Sequence, residues 1–228
     1  MHLQSTGLDR ASDLQKNNEL ISYNQAEIFF REQEQKDYWL DWCIENEVYH
    51  YYTQDYIDII ARELKKIDQS LYRNSYRLDP VNGSASAKRI IEIGAGRGRL
   101  SHGLQNKGIS IFSTDPEAGN KDVRQLSAAE ALQKYNPEVV IGAWLPVDAG
   151  IEAMVLDYPT VKYFLYICQV FNGAVGSEKI WQTGKWEITS LPEADKYSLS
   201  RYDFTDISGK IVKHSRTLLL KKTRLNMP

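Results

Sequence analysis

Arg89-Ile-Ile-Glu92-Ile-Gly94-Ala-Gly96-Arg-Gly98-Arg99 is the stretch that decides the fold. Its first half is a short apolar run of the buried-strand type, and its second half carries glycine at three alternate positions. Leu100 then opens a helix-like stretch. A strand, a tight turn and a helix start are expected, with an acid planted just before the turn. Glycine is needed where φ is positive or where a side chain would stand between backbone and ligand. Two common nucleotide turns do not fit. The dinucleotide fingerprint G-x-G-x-x-G breaks at Arg99, and no Gly-Lys-Ser/Thr follows for a P-loop.

Downstream of the turn, strand-like and helix-like pieces alternate. Residues 89–93, 109–114, 122–126, 139–143 and 161–167 read as strands, and 197–202 and 216–222 as later candidates. Residues 100–106, 128–135 and 151–158 read as helices, with Gly108 placed beyond the end of the first. Ser127-Ala-Ala-Glu130 is a capping box, in which hydroxyl and carboxylate each satisfy an orphan N–H. Such alternation predicts a parallel sheet with helices on both faces.

Upstream, the chain divides into three parts. Residues 1–20 are polar and aperiodic and read as a flexible arm. Residues 21–84 are rich in aromatics and read as two or three amphipathic helices: Tyr56, Ile60, Leu64 and Ile67 share one face, with Thr53 as N-cap. A loop at 79–87 leads into the α/β domain at 85–228.

Bulk properties narrow the function. With 228 residues the chain can bury a sizeable core, and 42% apolar with 25% charged content is ordinary for a globular protein. A net charge of −2 gives no global pull toward nucleic acid or anionic membrane. The basic cluster Lys210, Lys213, Arg216, Lys221, Lys222 and Arg224 reads as a solvated strand edge. Cys43 and Cys168 fit no metal spacing, and the histidines are scattered, so no metal is expected. No apolar run approaches the ~20 residues of a membrane span. The N-terminus lacks a signal peptide's pattern, so a cytoplasmic protein is expected.

Glu92-Ile-Gly94-Ala-Gly96-Arg-Gly98-Arg-Leu100 resembles the first motif of class I S-adenosylmethionine-dependent methyltransferases. The resemblance covers about residues 85–225 and implies a Rossmann-like, mostly parallel seven-stranded sheet with S-adenosyl-L-methionine as cofactor. It implies that the glycine turn (Gly94, Ala95, Gly96, Gly98) packs on the methionine and ribose, and that Glu92 faces the methionine ammonium. In that family an acid at the end of the next strand binds both ribose hydroxyls. Asp115 is in that position, and a carboxylate can accept from two vicinal hydroxyls. Leu126, Ser127 and Ala128 fall where adenine is usually contacted, and Gly142 completes the cofactor-side set.

The acceptor side is less defined. After the strand at 139–143 stand Trp144, Pro146 and Asp148, where nucleic-acid and many protein-amide methyltransferases carry Asn/Asp-Pro-Pro-aromatic. That departure points away from base or amide methylation and toward an apolar, aromatic-walled pocket. Asp148 is either a general base or a helix cap. His50, with an ordinary pKa near neutral, is the base candidate of the N-terminal segment. In small-molecule enzymes of the family that segment commonly forms a lid. Trp39, Trp42, Tyr51 and Tyr52 would line it, or would instead glue helices to the sheet or form a homodimer interface. Methyl transfer to oxygen or nitrogen of a small-molecule acceptor is the expected function. The alternatives are a non-catalytic subunit of the same fold, a protein methyltransferase, and other chemistry with the same cofactor, such as cyclisation.

Overall fold

The computed structural model describes residues 19–75, 90–146, 149–169 and 184–223. Three helices come first: α1 Tyr23–Glu34, α2 Trp39–Glu45 and α3 Gln54–Ser75, with a two-residue strand, β1 His50–Tyr51, before the third. Thr53 caps α3, its hydroxyl accepting from the Tyr56 N–H at 3.2 Å. The α/β part then runs β2 Ile90–Ile93, α4 Arg99–Asn106, β3 Ile111–Asp115, β4 Val123–Gln125, α5 Ala128–Tyr135, β5 Val139–Ala143, α6 Ile151–Asp157 and β6 Tyr163–Gln169. It closes with β7 Trp186–Ser190, α7 Pro192–Asp195, β8 Leu199–Ser200, β9 Phe204–Thr205, β10 Ile211–Val212 and β11 Ser215–Lys222.

Seven strands make the main sheet, in the order β4-β3-β2-β5-β6-β11-β7. The first five are parallel, and β11 is inserted antiparallel to both neighbours. From β2 the chain works outward through β3 to β4, then returns to the other side of β2 with β5. A Rossmann-like sheet opens a crevice past the carboxyl ends of the strands where its order reverses, here between β2 and β5.

The strands are apolar on both faces because helices cover both. Ile90, Val139, Ile141, Leu165 and Ile167 face α3, α4 and α7, burying Ile60 and Leu64 with them. Ile91, Ile93, Val140, Phe164 and Leu220 face α5 and α6. Helix α3 therefore belongs to the main core. A third, small core holds Phe29, Phe30, Trp39, Trp42, Tyr51 and Leu199 and is built from α1, α2, β1 and β8. We call this part the cap.

Three expectations change. Residues 197–202 do not join the main sheet: only Leu199–Ser200 is extended, and it pairs with β1 in the cap. Strand β7 was not legible, its alternation being weak and its position an edge. The basic cluster is not one solvated edge: Lys210 and Lys221 are exposed, Lys213, Arg216 and Lys222 are half-buried, and Arg224 lies outside the described residues. Strand β11 lies inside the sheet, and Lys213 is tucked beneath the cap, donating to Tyr23 Oη at 2.9 Å and to the Lys196 and Ser198 carbonyls. Among the described residues, no helix is long and apolar enough to cross a membrane.

Candidate functional site

The glycine turn leaves β2 with three positive φ angles: +68° at Gly94, +53° at Gly96 and +72° at Gly98. Its backbone is fixed by the Ala95 N–H to the Thr114 carbonyl at 3.0 Å and the Gly98 N–H to the Ala95 carbonyl at 2.8 Å. The glycines serve different ends. A Cβ on Gly98 would stand 2.7 Å from Val123 Cγ2, and one on Gly94 would stand 2.7 Å from Leu145 Cδ2. Gly142 makes room for the same leucine. Packing thus explains these three. A Cβ on Gly96 would meet nothing within 4 Å. Gly96 alone in the turn opens onto free space, which is the property a ligand cradle needs.

Asp115, at the carboxyl end of β3, braces the turn. Its Oδ2 accepts from the Gly96 N–H and its Oδ1 from the Glu117 N–H, each at 2.8 Å. One bond per oxygen leaves each with a further lone pair, and the side chain is half-buried. Glu92 lies under the turn, 2% exposed. Its Oε2 accepts from both the N–H and the hydroxyl of Ser101. Burial pushes its pKa up to about 7 against those two bonds, with the Asp115 charge adding to the rise. Leu126 follows β4 beside this acid, its N–H reaching the Asp115 carbonyl at 3.2 Å. Ser127 is occupied by its capping box with Glu130, and Ala128 is buried in the first turn of α5. Of the residues proposed for the adenine side, Leu126 is left to offer a side chain.

The acceptor-side expectations fare unevenly. Trp39 and Trp42 are buried and stacked on each other, 5.7 Å between ring centroids, inside the cap core. The Trp39 indole N–H is taken by the Ser200 carbonyl. Tyr51 is buried with them, and burial raises its pKa. These three glue the cap together. Tyr52 is half-buried, and burial with the Glu92 charge raises its pKa. His50 is not a near-neutral base. It is 3% exposed, with its ring against Tyr52 and Tyr56, and burial assisted by the Lys213 charge pushes its pKa down to about 3. Asp148 lies outside the described residues. Pro146 is exposed.

Trp144 does stand at the crevice. Its φ of +55° is the left-handed region that costs a non-glycine residue energy, and its N–H to the Ile167 carbonyl at 2.8 Å holds it there. Its ring meets Tyr49 and Tyr202 at 6.2 and 5.9 Å. Arg201 stacks on both tyrosines. Sequence reasoning missed Tyr49, Arg201 and Tyr202. Tyr49 lay in the aromatic run but was not singled out, and no spacing signal links it to residues 150 positions away.

Two arginines of the glycine turn reach across to the cap. Arg97 Nε meets Glu47 Oε2 at 2.6 Å, and Arg99 donates to the carbonyls of Asn46 and Glu47. Among the described residues, no group of three or more His, Cys, Asp or Glu side chains could hold a metal ion. No protein-family model matches the chain, and no curated protein does.

Proposed function

We propose that this protein binds S-adenosyl-L-methionine at the carboxyl ends of β2 and β3 and transfers its methyl group to an oxygen or nitrogen atom of a small-molecule acceptor. The observation that carries this reading is the joint placement of an open Gly96 and the Asp115 carboxylate, 2.8 Å apart, over a buried Glu92. The residues suit the cofactor. Asp115 keeps lone pairs for two ribose hydroxyls, Glu92 keeps Oε1 for a methionine ammonium, and Leu126 offers an apolar edge to adenine. Ala95 and Gly94 supply the turn's remaining backbone. The cofactor brings a methyl group on a positively charged sulfur. The protein's part is then to align an acceptor with it and to exclude water, which can lower the barrier by several kcal/mol. The arginine contacts from the turn to Asn46 and Glu47 support the cap as the cover of that acceptor.

Calorimetry with S-adenosylhomocysteine tests this directly. Saturable binding is expected, and Asp115→Asn should weaken it at least about tenfold, the value of one or two lost charge-assisted hydrogen bonds. Asp115→Asn is preferable to Asp115→Ala because an amide oxygen can still brace Gly96. No binding by the wild type, or equal binding by a folded Asp115→Asn protein, sinks the reading.

A further inference from the structure

Strands β1 and β8 pair at His50 and Ser200, which sets Tyr49 beside Arg201. The Arg201 N–H donates to the Tyr49 carbonyl at 3.2 Å. The guanidinium carbon of Arg201 lies 3.7 Å from the centre of the Tyr49 ring and 4.8 Å from that of Tyr202. Its Nη2 donates to Tyr202 Oη at 2.7 Å. Trp144 touches the same two tyrosine rings from the crevice side. Four side chains from three distant stretches thus form one box at the carboxyl end of β5.

Two polar atoms of this box, Arg201 Nε and Trp144 Nε1, are buried and have no hydrogen-bond partner among the described residues. Both can only donate. A buried donor left unpaired is costly, so the missing partner is an acceptor, and beside a guanidinium it is best an anion. Arg97 and Arg99 of the glycine turn meet Glu47, two residues before Tyr49, and Glu47 pairs with the first of them. The buried Asp203 beyond Arg201 is taken up by Ser200 and the His214 N–H. Flat rings on several sides favour a flat guest.

We infer that the methyl acceptor is a planar carboxylate, held by Arg201 and the Trp144 indole N–H against the Tyr49 and Tyr202 rings. The inference rests on the methyl-transfer reading above. One carboxylate oxygen engages the two donors and the other reacts. The new oxygen–carbon bond forms from a carboxylate lone pair as the carbon–sulfur bond breaks and its electrons return to sulfur. Anion and sulfonium become a neutral methyl ester and a neutral thioether. No proton moves, so no base is required, in keeping with a His50 ring turned toward Tyr52 and Tyr56.

Titration of the ¹⁵N-labelled full chain by NMR, without cofactor, tests the site. The probes are 2-naphthoate, 2-naphthylmethanol and 2-naphthylmethylammonium, and Trp144→Phe identifies the Trp144 indole resonance. Naphthoate should move that resonance saturably and bind at least about tenfold more tightly than the alcohol or the ammonium. Arg201→Gln should erase the preference, and Arg201→Lys, which keeps charge but loses the fork, should retain part of it. A still indole resonance, equal binding of the ammonium, or an unchanged preference in folded Arg201→Gln and Arg201→Lys proteins overturns the inference. Calorimetry with S-adenosylhomocysteine separates the two claims. If it binds and naphthoate does not, only the carboxylate site falls. If naphthoate binds and it does not, the carboxylate site stands and the cofactor reading falls.

Discussion

The two halves of the crevice are built in opposite ways. The half proposed to hold the methyl donor is a contiguous run from Glu92 to Ala128, shaped by backbone: three left-handed glycines, one carboxylate bracing an N–H, and one buried acid. The half proposed to hold the acceptor is assembled from side chains of three stretches, Tyr49, Trp144 and Arg201–Tyr202, that meet only because β1 pairs with β8 beside the end of β5. In the half proposed for the methyl donor, each acid is braced by bonds within the chain and keeps acceptor capacity to spare. The half proposed for the acceptor keeps two buried donors, Arg201 Nε and Trp144 Nε1, with no partner among the described residues. A site made from local backbone geometry can be read from spacing, whereas one made by long-range pairing cannot.

The sharpest way to break the donor half is to separate its glycines. Gly98→Ala must hold φ near +72° and push a Cβ to within 2.7 Å of a Val123 methyl. Valine is stiff at χ1, so the left-handed cost and the overpacking add to about 4 kcal/mol of lost stability. Gly96→Ala carries the left-handed cost alone, about 1–2 kcal/mol, because its Cβ meets nothing within 4 Å. Urea unfolding should show that gap. Calorimetry should show Gly96→Ala losing more than tenfold in S-adenosylhomocysteine affinity despite its milder fold defect. Full affinity in Gly96→Ala would mean that the open space at the turn is not where the cofactor lies.

Glu92 gives a pH signature to the donor half alone. Burial holds its pKa up at about 7 in the folded state, against an ordinary 4.5. The folded protein therefore prefers the protonated acid. Its contribution to stability is complete below pH 4.5 and is lost as pH rises to about 7, by an amount on the order of 3 kcal/mol. Glu92→Gln should remove that fall and leave the opposite trend of buried His50, whose folded pKa of about 3 lies below its ordinary 6.5. Unfolding free energy should therefore climb more steeply between pH 4.5 and 6.5 than in the wild type. A bound ammonium favours the ionised acid. The wild type should then bind S-adenosylhomocysteine more tightly at pH 8 than at pH 6, and Glu92→Gln should lose that trend.

What the sequence disclosed follows the same division. Strands β2, β3, β5, β6 and β11, the capping box at Ser127 and the face of α3 are local patterns, and each was legible. So was the placement of Glu92, the glycines and Asp115. Ser22-x-x-Gln25 was an equally local capping box at the start of α1, open to the same reading. Edge strand β7 and the β1–β8 pair carry little periodicity, being exposed or only two residues long. Trp39, Trp42 and Tyr51 illustrate the remaining ambiguity. An aromatic in a helix or short strand looks the same in sequence whether it lines a pocket or fills a core, and only the packing of the cap core decides between them. His50 shows the same for chemistry: the residue type suggests a neutral pKa, and burial sets it near 3.

The smallest expected effect lies where the two halves touch. Arg97 and Glu47 form a short ion pair at 2.6 Å, but their side chains are 55% and 64% exposed. An exposed pair contributes below about 1 kcal/mol because water and salt screen it. Arg97→Ala should therefore shift the melting temperature by no more than about 4 °C, and added salt should reduce even that difference. Arg99 is the stronger link on geometric grounds. It is half-buried, which lowers its pKa, and it spends two donors on cap carbonyls. Arg99→Ala removes both bonds together with a half-buried side chain and should cost more than Arg97→Ala in both stability and naphthoate affinity. Equal effects from the two variants would mean that the cap is held to the glycine turn by surface charge rather than by the hydrogen bonds of the half-buried Arg99 guanidinium.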